Sequence, residues 1–378
     1  MSQRNLLILV AALVVLGLAV IIGQRSRAPA AATQGAAFVP GLATALDDLE
    51  RVTLKKAGNE TVATLEHRDG AWVVAEKSNY PADVAKLGQQ LRALADAKIL
   101  EQKTATPELY DRLGVADVAG ADATGIEVSF AAAGKQLPAV ILGDVQGTKY
   151  RYARRAGEQQ SYLLDHDPNF PHATGQWLAP TIIDVKGERV QQVTIKHPDG
   201  ETVTIAKTAA SAQNYDVANV PKGRELLYPG VANVIGNALR ELNLEDVQSA
   251  AEASGDKPVQ VEYRTFDGLV VDITGSKQDD NAWITVAARY DADQAAKFPP
   301  PAAEPKSPAA ADPNSPPEAS PPPAQAAASA ASSTNAADRA AEVDAINKRT
   351  SGWRYKIAAF QYDQMTRHMA DLLKPPAG

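Results

Sequence analysis

Histidine and carboxylate side chains crowd one short stretch of this sequence. Asp165-His166-Asp167 comes first, and His172 follows five residues beyond it. Imidazole and carboxylate groups bind Zn²⁺ and similar divalent ions, and a carboxylate also orients a histidine that acts as a general base. Asp165, His166 and His172 are therefore candidate metal ligands of a metal-dependent hydrolase. Two prolines in the stretch and its Asp and Asn residues favour an ordinary turn instead, and we predict no metal or other cofactor.

A second group of polar side chains is basic and is interleaved with tyrosines. Cations and aromatic rings together bind anionic glycans, lipid headgroups or nucleic acids. On a strand, however, alternate residues point to opposite faces, so simple amphipathic alternation explains the same pattern. The candidate surface contact consists of Lys149, Arg151, Arg154 and Arg155, with Tyr150 and Tyr152 between them.

The net charge, the absence of cysteine and the absence of common catalytic motifs argue against several classes of function. The formal net charge of the 378 residues is −7, which disfavours a nucleic-acid binder because affinity for phosphate needs a positive surface. The absence of cysteine excludes disulfides, thiolate metal sites and thiol nucleophiles. The sequence holds no Gly-rich phosphate loop, no Gly-x-Ser-x-Gly and no His-Glu-x-x-His. We therefore predict a protein that is not an enzyme.

An apolar run near the N-terminus predicts a membrane anchor. Residues 6–22 are seventeen consecutive residues without a charge, amide or hydroxyl, and a helix of that length spans about 26 Å. A cleaved signal peptide is the alternative, but Arg25 and Arg27 stand where small residues should lead to a cleavage site. Residues 1–27 are thus predicted to be an uncleaved single span with the body of the chain outside, although basic residues flank both ends of the run and leave the charge bias nearly balanced. The predicted span includes Leu6, Leu13, Leu16 and Ile22.

Two segments have a composition that predicts no packed core. Residues 28–46 are Ala-rich and are expected to form a flexible tether. A Pro- and Ala-rich stretch at 299–340, with eleven prolines up to Pro323, is expected to be a disordered insertion because proline removes amide donors and favours extended backbone.

The chain between these segments contains an internal duplication. Residues 49–55 (LERVTLK) recur as residues 190–196 (VQQVTIK), and residues 126–130 recur as residues 259–263. Both pairs alternate apolar and polar side chains, as half-buried strands do. The copies begin about 141 residues apart, which predicts one repeat at 47–187 and a second at 188–378.

Each repeat is also predicted to carry an amphipathic helix. In the first repeat, the predicted helix follows the N-cap Asp83 and has its apolar residues at helical spacing. Strands that precede a helix and return after it predict antiparallel sheets with helices on one face, so the fold class is α+β, built twice. A closing strand at 352–357 and a final helix are expected to dock onto the second repeat. The apolar faces are formed by Val84, Leu87, Leu91 and Leu94, by Val231, Val234, Ile235, Ala238, Leu239 and Leu242, and, in the final helix, by Tyr362, Met365, Met369, Leu372 and Leu373.

Several short motifs resemble a bacterial family, the domain of unknown function 4340. The residues that carry the resemblance are Gly70-Ala71-Trp72-Val73-Val74, Leu142-Gly143-Asp144, Thr148-Lys149-Tyr150-Arg151-Tyr152-Ala153 and Gly352-Trp353-Arg354-Tyr355-Lys356-Ile357. With the N-terminal anchor, the resemblance covers nearly the whole chain outside the two low-complexity segments. The turn at 110–115 departs from the family's usual Tyr-Gly-Leu-acid pattern.

The resemblance implies an extracytoplasmic accessory role. Members are often encoded beside ABC-type transporter components similar to those of gliding-motility systems, and the family has no established catalytic residues. The chain is expected to be a single-pass protein of the bacterial inner membrane with its bulk in the periplasm, and its expected partners are an ABC-type permease or associated subunits. The alternatives are a periplasmic binding module for cell-envelope glycan or another ligand, and the metal-dependent hydrolase.

Overall fold

The computed structural model describes residues 34–250, 258–298 and 324–375, with the side chains of its longest helix described from residue 336 onward. The chain divides into two compact units, Met1–Ala179 and Pro180–Gly378. Strands dominate both units, and every strand pair in the described ranges is antiparallel. The predicted α+β class with antiparallel sheets is confirmed.

The first unit is built on one nine-stranded sheet. Its strand order is β4-β3-β2-β1-β6-β7-β8-β9-β5. Alternating strand residues, with Val52, Leu54 and Val128 fully buried among them, form the core face, as period-two patterning requires. The strands are β1 Leu49–Lys56, β2 Glu60–Arg68, β3 Ala71–Val74, β4 Tyr80–Pro81, β5 Ile99–Gln102, β6 Ile126–Ala132, β7 Val140–Gln146, β8 Tyr150–Arg155 and β9 Ser161–Leu164.

The second unit has an eight-stranded sheet and a separate two-stranded ribbon. The sheet order is β13-β12-β11-β16-β17-β18-β19-β15, and β10 pairs with β14. The strands are β10 Thr181–Ile183, β11 Val190–Lys196, β12 Thr202–Ala206, β13 Asp216–Val217, β14 Leu242–Asn243, β15 Asp246–Ser249, β16 Val259–Thr265, β17 Leu269–Gln278, β18 Asn281–Tyr290 and β19 Trp353–Ile357.

The second sheet repeats the topology of the first. From β2 and from β12 onward the two strand orders correspond strand for strand, with β1 matching β11 and β5 matching β15. Val52 lies opposite Phe130 in the first unit, and Val193 lies opposite Tyr263 in the second. Both pairings shift register near the start of the first strand. Positions 141 residues apart are therefore structurally equivalent in β1 and β11, whereas the equivalent residues Phe130 and Tyr263 of β6 and β16 are 133 residues apart.

The helices in the described residues are few, and four of the six have seven residues or fewer. The structure contains α1 Val84–Asp96, α2 Asn233–Gly236, α3 Ala292–Lys297, α4 Ala324–Thr350, α5 Ala359–Met365 and α6 Met369–Leu372. Single 3-10 turns lie at Leu46–Asp48, Ala57–Asn59, Ala75–Lys77, Pro107–Leu109, Asp111–Leu113 and Thr174–Trp177.

Helix α1 forms where the sequence predicts it. The Asp83 carboxylate caps its N-terminus by accepting a hydrogen bond from Lys86 N at 3.0 Å, which satisfies one of the unpaired amides of the first turn. Leu87, Leu91 and Leu94 are buried. Val84, predicted to share that face, is 56% exposed.

The helix predicted for the second unit is reduced to the four residues of α2. The backbone has positive φ at Gly230 and at Glu241, a conformation that an α-helix excludes. Between them, Ala238 N donates to Ile235 O, the spacing of a 3-10 turn. The predicted apolar residues are still mostly buried, because turns place them against the sheet.

The C-terminal segment completes the second sheet. Strand β19 lies between β18 and β15 and pairs with both, which confirms the predicted docking onto the second repeat. The single closing helix is a correction, because the chain forms α5 and α6 with a break between them. Tyr362, Met365 and Leu372 are buried.

The predicted tether is shorter than the sequence suggests. Phe38, Val39 and Leu42 are buried in the first unit, and Phe38 N donates to Ala97 O at 2.8 Å. The flexible tether predicted for residues 28–46 is therefore corrected for residues 34–46, and residues 28–33 lie outside the described residues. Three large apolar residues in an Ala-rich stretch supply enough buried surface to fix it to the unit.

The predicted disordered insertion at 299–340 is also shortened at its C-terminal end. Helix α4 begins at Ala324, directly after the last proline, in a sequence rich in the strongest helix former. Val343 and Ile346 are buried, and the Asn347 side-chain amide exchanges hydrogen bonds with the backbone of Ala288. Residues 299–323 lie outside the described ranges.

No helix within the described residues is long and apolar enough to cross a membrane. The predicted anchor at 1–27, with Leu6, Leu13, Leu16 and Ile22, lies outside the described residues.

Candidate functional site

The predicted ligand group around His166 forms a structural link. His166 Nδ1 lies 2.8 Å from Asp165 Oδ1, and His166 Nε2 lies 2.6 Å from Ala93 O in α1. The Asp165 carboxylate also accepts a hydrogen bond from Lys98 N at 2.9 Å. These contacts attach the loop after β9 to the end of α1 and the start of β5.

His172 has a different environment from His166. Burial lowers the pKa of His172, and the positive charges of Arg151 and Lys56 lower it further. Its cationic neighbours oppose a metal cation as they oppose a proton. Asp165, His166 and His172 do not form a convergent ligand group within the described residues.

The basic residues predicted to form a surface contact are mostly buried, which corrects that prediction. Arg151 is 7% exposed and Arg154 is 2% exposed. Arg151 is hydrogen-bonded to Asp167 and donates to Gly143 O at 2.5 Å. Arg155 donates to Phe38 O at 2.8 Å and lies over the Phe38 ring. Only Lys149 of the four is exposed.

Arg154 has the most complete set of partners. Its guanidinium donates to Val115 O and Glu158 O, each at 2.9 Å, and to Asp117 Oδ1 at 2.5 Å. It also lies 4.6 Å from the centre of the Tyr110 ring. The side chain therefore holds the 110–118 segment against β8, a role that strand alternation alone does not reveal.

A convergent group of ligand-type side chains lies in the second unit. His197 follows the last residue of β11, Glu201 precedes the first residue of β12, and His368 precedes α6. One potential ligand atom of each lies within 4.8 Å of the others. A tight hairpin and the break between α5 and α6 thus bring together residues that are 171 positions apart.

The three side chains contact one another directly. The rings of His197 and His368 are stacked, with centroids 3.8 Å apart and planes inclined by 18°. Glu201 Oε2 is hydrogen-bonded to His368 Nδ1, and Glu201 Oε1 accepts from Met369 N at 3.1 Å. His197 is buried, Glu201 is half-buried and His368 is exposed.

The two histidines of this group line a cleft of about 400 Å³ in the second unit. His197 and His368 contribute to one side, and α5 supplies Tyr362 and Asp363. Burial raises the pKa of Tyr362 to about 12, and the nearby Asp363 carboxylate adds to the shift. The cleft is lined by His197, Val259, Tyr362, Asp363, Thr366, Arg367, His368 and Asp371.

The first unit carries an ion pair at the equivalent hairpin. Lys56 and Glu60 occupy the positions of His197 and Glu201, 141 residues earlier, and Lys56 Nζ lies 3.0 Å from Glu60 Oε1. A lysine is a poor metal ligand at neutral pH because its amine is protonated. In the second unit His197 stands in place of this lysine, and the C-terminal segment adds a second imidazole, that of His368.

Two chemical arrangements fit the group. A doubly hydrogen-bonded carboxylate beside an imidazolium is an ion pair, and two imidazoles with one carboxylate are a donor set for a divalent transition metal. Sequence reasoning missed the group because His197 and His368 are isolated in the chain. The signal that could have found it is the duplication, which aligns His197 with Lys56 and Glu201 with Glu60.

Comparison with known proteins identifies one family. The model of the family described as a domain of unknown function (DUF4340) matches residues 72–261, half of the chain. The chain belongs to this family. The matched region runs from β3 to β16, so it includes His197 and Glu201 but not His368. No curated protein and no solved structure matches the chain.

Proposed function

We propose that this chain is a non-enzymatic accessory protein of the bacterial cell envelope. Residues 6–22 anchor it in the inner membrane, and the two sheet units lie in the periplasm. There they bind components of a membrane-protein complex, of which an ABC-type permease or its associated subunits are the first candidates. Family membership and the apolar N-terminal run support this proposal together.

The observation that carries the proposal is the packing of residues 36–46 onto the first unit. Gly35 N donates to Ile99 O at 2.8 Å, and Phe38 is fully buried. Eleven residues lie between Ile22 and the first described residue, and the twelve peptide units that join the two span at most about 40 Å. The anchor therefore keeps the first unit close to the membrane, where membrane proteins are the available partners.

The ligand-binding alternative keeps one specific observation in its favour. The cleft beside His197 has a suitable volume for a small ligand and presents aromatic, cationic and acidic groups. The glycan version is weakened, because Arg151 and Arg154 are buried in structural contacts. The metal-dependent hydrolase loses its basis, since its three proposed ligands do not converge.

Membrane extraction and copurification test the accessory proposal. The full-length protein should remain in the membrane after alkaline carbonate washing and should copurify, in mild detergent, with integral membrane subunits. A variant with Leu13→Lys and Leu16→Lys should leave the membrane, because each charge at the centre of a span costs about 3 kcal/mol. Wild-type protein that is released by carbonate, or that copurifies with no membrane protein, would overturn the proposal.

A further inference from the structure

We propose that His197, Glu201 and His368 form a binding site for one divalent transition-metal ion of the zinc type. The site lies in the second unit, at the edge of the cleft, and joins the β11–β12 hairpin to the segment between α5 and α6. It goes beyond the accessory function, which requires no metal.

The donor atoms are close to the spacing that a metal needs. Zinc bonds of about 2.0 to 2.1 Å in tetrahedral geometry put ligand atoms about 3.4 Å apart. The three potential ligand atoms here lie within 4.8 Å of one another, and two of them, on Glu201 and His368, are already in hydrogen-bond contact. Displacements of the ligand atoms by about 1 Å therefore suffice to bring all three atoms to bonding distance of one ion.

Backbone groups already orient the ligands. Glu201 Oε1 accepts from Met369 N, and His197 Nε2 lies 3.3 Å from Arg367 O. Hydrogen bonds of this kind fix the ring orientation and the free ligand atom of metal-binding side chains. His368 is held in turn, because its backbone N donates to Asp371 Oδ2 at 3.0 Å in the N-terminal cap of α6.

The comparison of the two units separates this site from an ordinary ion pair. In the first unit the side chains of Lys56 and Glu60 form an ion pair at the same hairpin. The second unit has two imidazoles beside the glutamate, and their rings are stacked with centroids 3.8 Å apart. Two imidazoles and a carboxylate are a donor set for a transition metal, which a lysine and a glutamate are not.

The proposed site leaves a coordination position open. Three protein ligands fill only part of a tetrahedral shell, and a water molecule or another ligand takes the fourth place in such sites. Two of the three ligands, His197 and His368, also line the cleft, together with Asp363 and Arg367.

Zinc binding by the full-length chain in detergent tests the site. The protein should carry an affinity tag without histidine, and the zinc content after dialysis and the calorimetric titration should both give one ion per chain. Co²⁺ in its place should produce the visible absorption of a low-coordinate histidine and carboxylate site. The variants His197→Lys, Glu201→Gln and His368→Gln should each weaken zinc binding at least tenfold.

His197→Lys is the decisive variant, because it recreates the Lys–Glu pair that the same hairpin holds in the first unit. It should keep the urea midpoint of the metal-free protein while losing zinc. His67→Gln and His172→Gln, in the first unit, should bind zinc as the wild type does. Absence of zinc binding at 100-fold molar excess, or equal binding by His197→Lys and wild type, would overturn the proposal and leave an ion pair.

Discussion

At the scale of single residues, Tyr263 is buried with a hydroxyl that has no hydrogen-bond partner among the described residues. Burial raises the pKa of this phenol, with the nearby Tyr215 adding to the shift. The equivalent position in the first unit is Phe130, so the same fold already accepts a ring without the hydroxyl. Burial of the unpaired Tyr263 hydroxyl therefore lowers the free energy of unfolding.

Replacing Tyr263 with Phe should stabilise the second unit by about 1 kcal/mol, because it removes the desolvation cost of an unpaired hydroxyl. Urea unfolding followed by tryptophan fluorescence measures the change. Tyr215→Phe is the matched control, since the Tyr215 hydroxyl donates to Gly187 O and Val190 O at 2.9 Å. That variant should be destabilised by about 1 to 2 kcal/mol, and a destabilised Tyr263→Phe would show that its hydroxyl has a partner.

Arg154→Ala should destabilise the first unit by about 3 kcal/mol. The substitution leaves two carbonyl groups without their charged donor and removes the contact with the Tyr110 ring. Lys149→Ala, at an exposed side chain of the same hairpin, should change the free energy of unfolding by less than about 0.5 kcal/mol. Equal effects of the two substitutions would show that Arg154 is as dispensable as a surface cation.

The stability of the second unit should fall at high pH through Tyr362. An unfolded tyrosine has a pKa of about 10, and burial raises the pKa of Tyr362 to about 12. The folded state therefore favours the neutral phenol, and its stabilising effect is complete below pH 10 and is lost between pH 10 and 12. From pH 9 to 11 the wild type should lose about 1 kcal/mol more than Tyr362→Phe, and parallel pH profiles would contradict the burial.

Individual side-chain roles were the least predictable from sequence. The spacing of Arg151 and Arg154 on a strand indicates which face each occupies. It does not show that the 110–118 segment and Asp167 cover them, because those contacts come from distant parts of the chain. The contact between His197 and His368 was not predictable for the same reason, because it joins distant parts of the chain.

At the scale of elements, two glycines, Gly143 in β7 and Gly125 just before β6, permit close contact with the turn at 111–114. A Cβ atom on Gly143 would lie 2.1 Å from Leu113 O, and one on Gly125 would lie 2.3 Å from Gly114 O. The Leu142-Gly143-Asp144 motif therefore marks a place where two backbones touch. This gives a packing reason for the motif on which the family resemblance rests.

Gly143→Ala should destabilise the first unit by about 3 kcal/mol, because the added methyl group overlaps backbone that cannot move without breaking the sheet. Gly147→Ala is the control. Its position has positive φ but nothing within 4 Å, so the expected cost is only about 1 kcal/mol. Thermal unfolding compares the two, and a smaller effect for Gly143→Ala would mean that the turn shifts freely.

Elements with strict alternation were predictable, and elements held by tertiary contacts were not. The strands at 49–55 and 190–196 and the capped helix α1 follow local patterns that the structure preserves. The second predicted helix has the same apolar spacing, yet Gly236 packs on the Tyr215 ring and turns at both ends limit α2 to four residues. The apolar spacing at 231–242 therefore indicates which residues are buried, and it does not indicate a helix.

At the scale of the whole molecule, the second unit depends on the end of the chain. Strand β19 joins β18 to β15, and α4 packs against β18 through Asn347. The sequence predicts that the C-terminal segment packs onto the second unit, because residues 352–357 have a strand pattern and the segment has no core of its own. The C-terminal end of the intervening low-complexity segment depends on tertiary contacts and was misplaced.

Truncation after Ser351 should unfold the second unit and leave the first intact. Without β19, the facing edges of β18 and β15 lose their only shared partner in the described sheet, and Tyr355 leaves the core. Hydrogen exchange should show native protection in β1 and β6 and none in β11 and β16. Native protection in both units would contradict the dependence on the C-terminal segment.

Photo-crosslinking in intact cells tests the accessory function most directly. A photoreactive residue at exposed apolar positions of the second unit, Tyr228 (55% exposed) and Phe360 (63% exposed), should capture membrane-protein subunits that mass spectrometry identifies. The same probe at Asp280, in the exposed β17–β18 turn, is the position control. The proposal predicts a defined membrane-protein adduct from at least one apolar position, and the absence of such an adduct from both Tyr228 and Phe360, or the same adduct from Asp280, would contradict it.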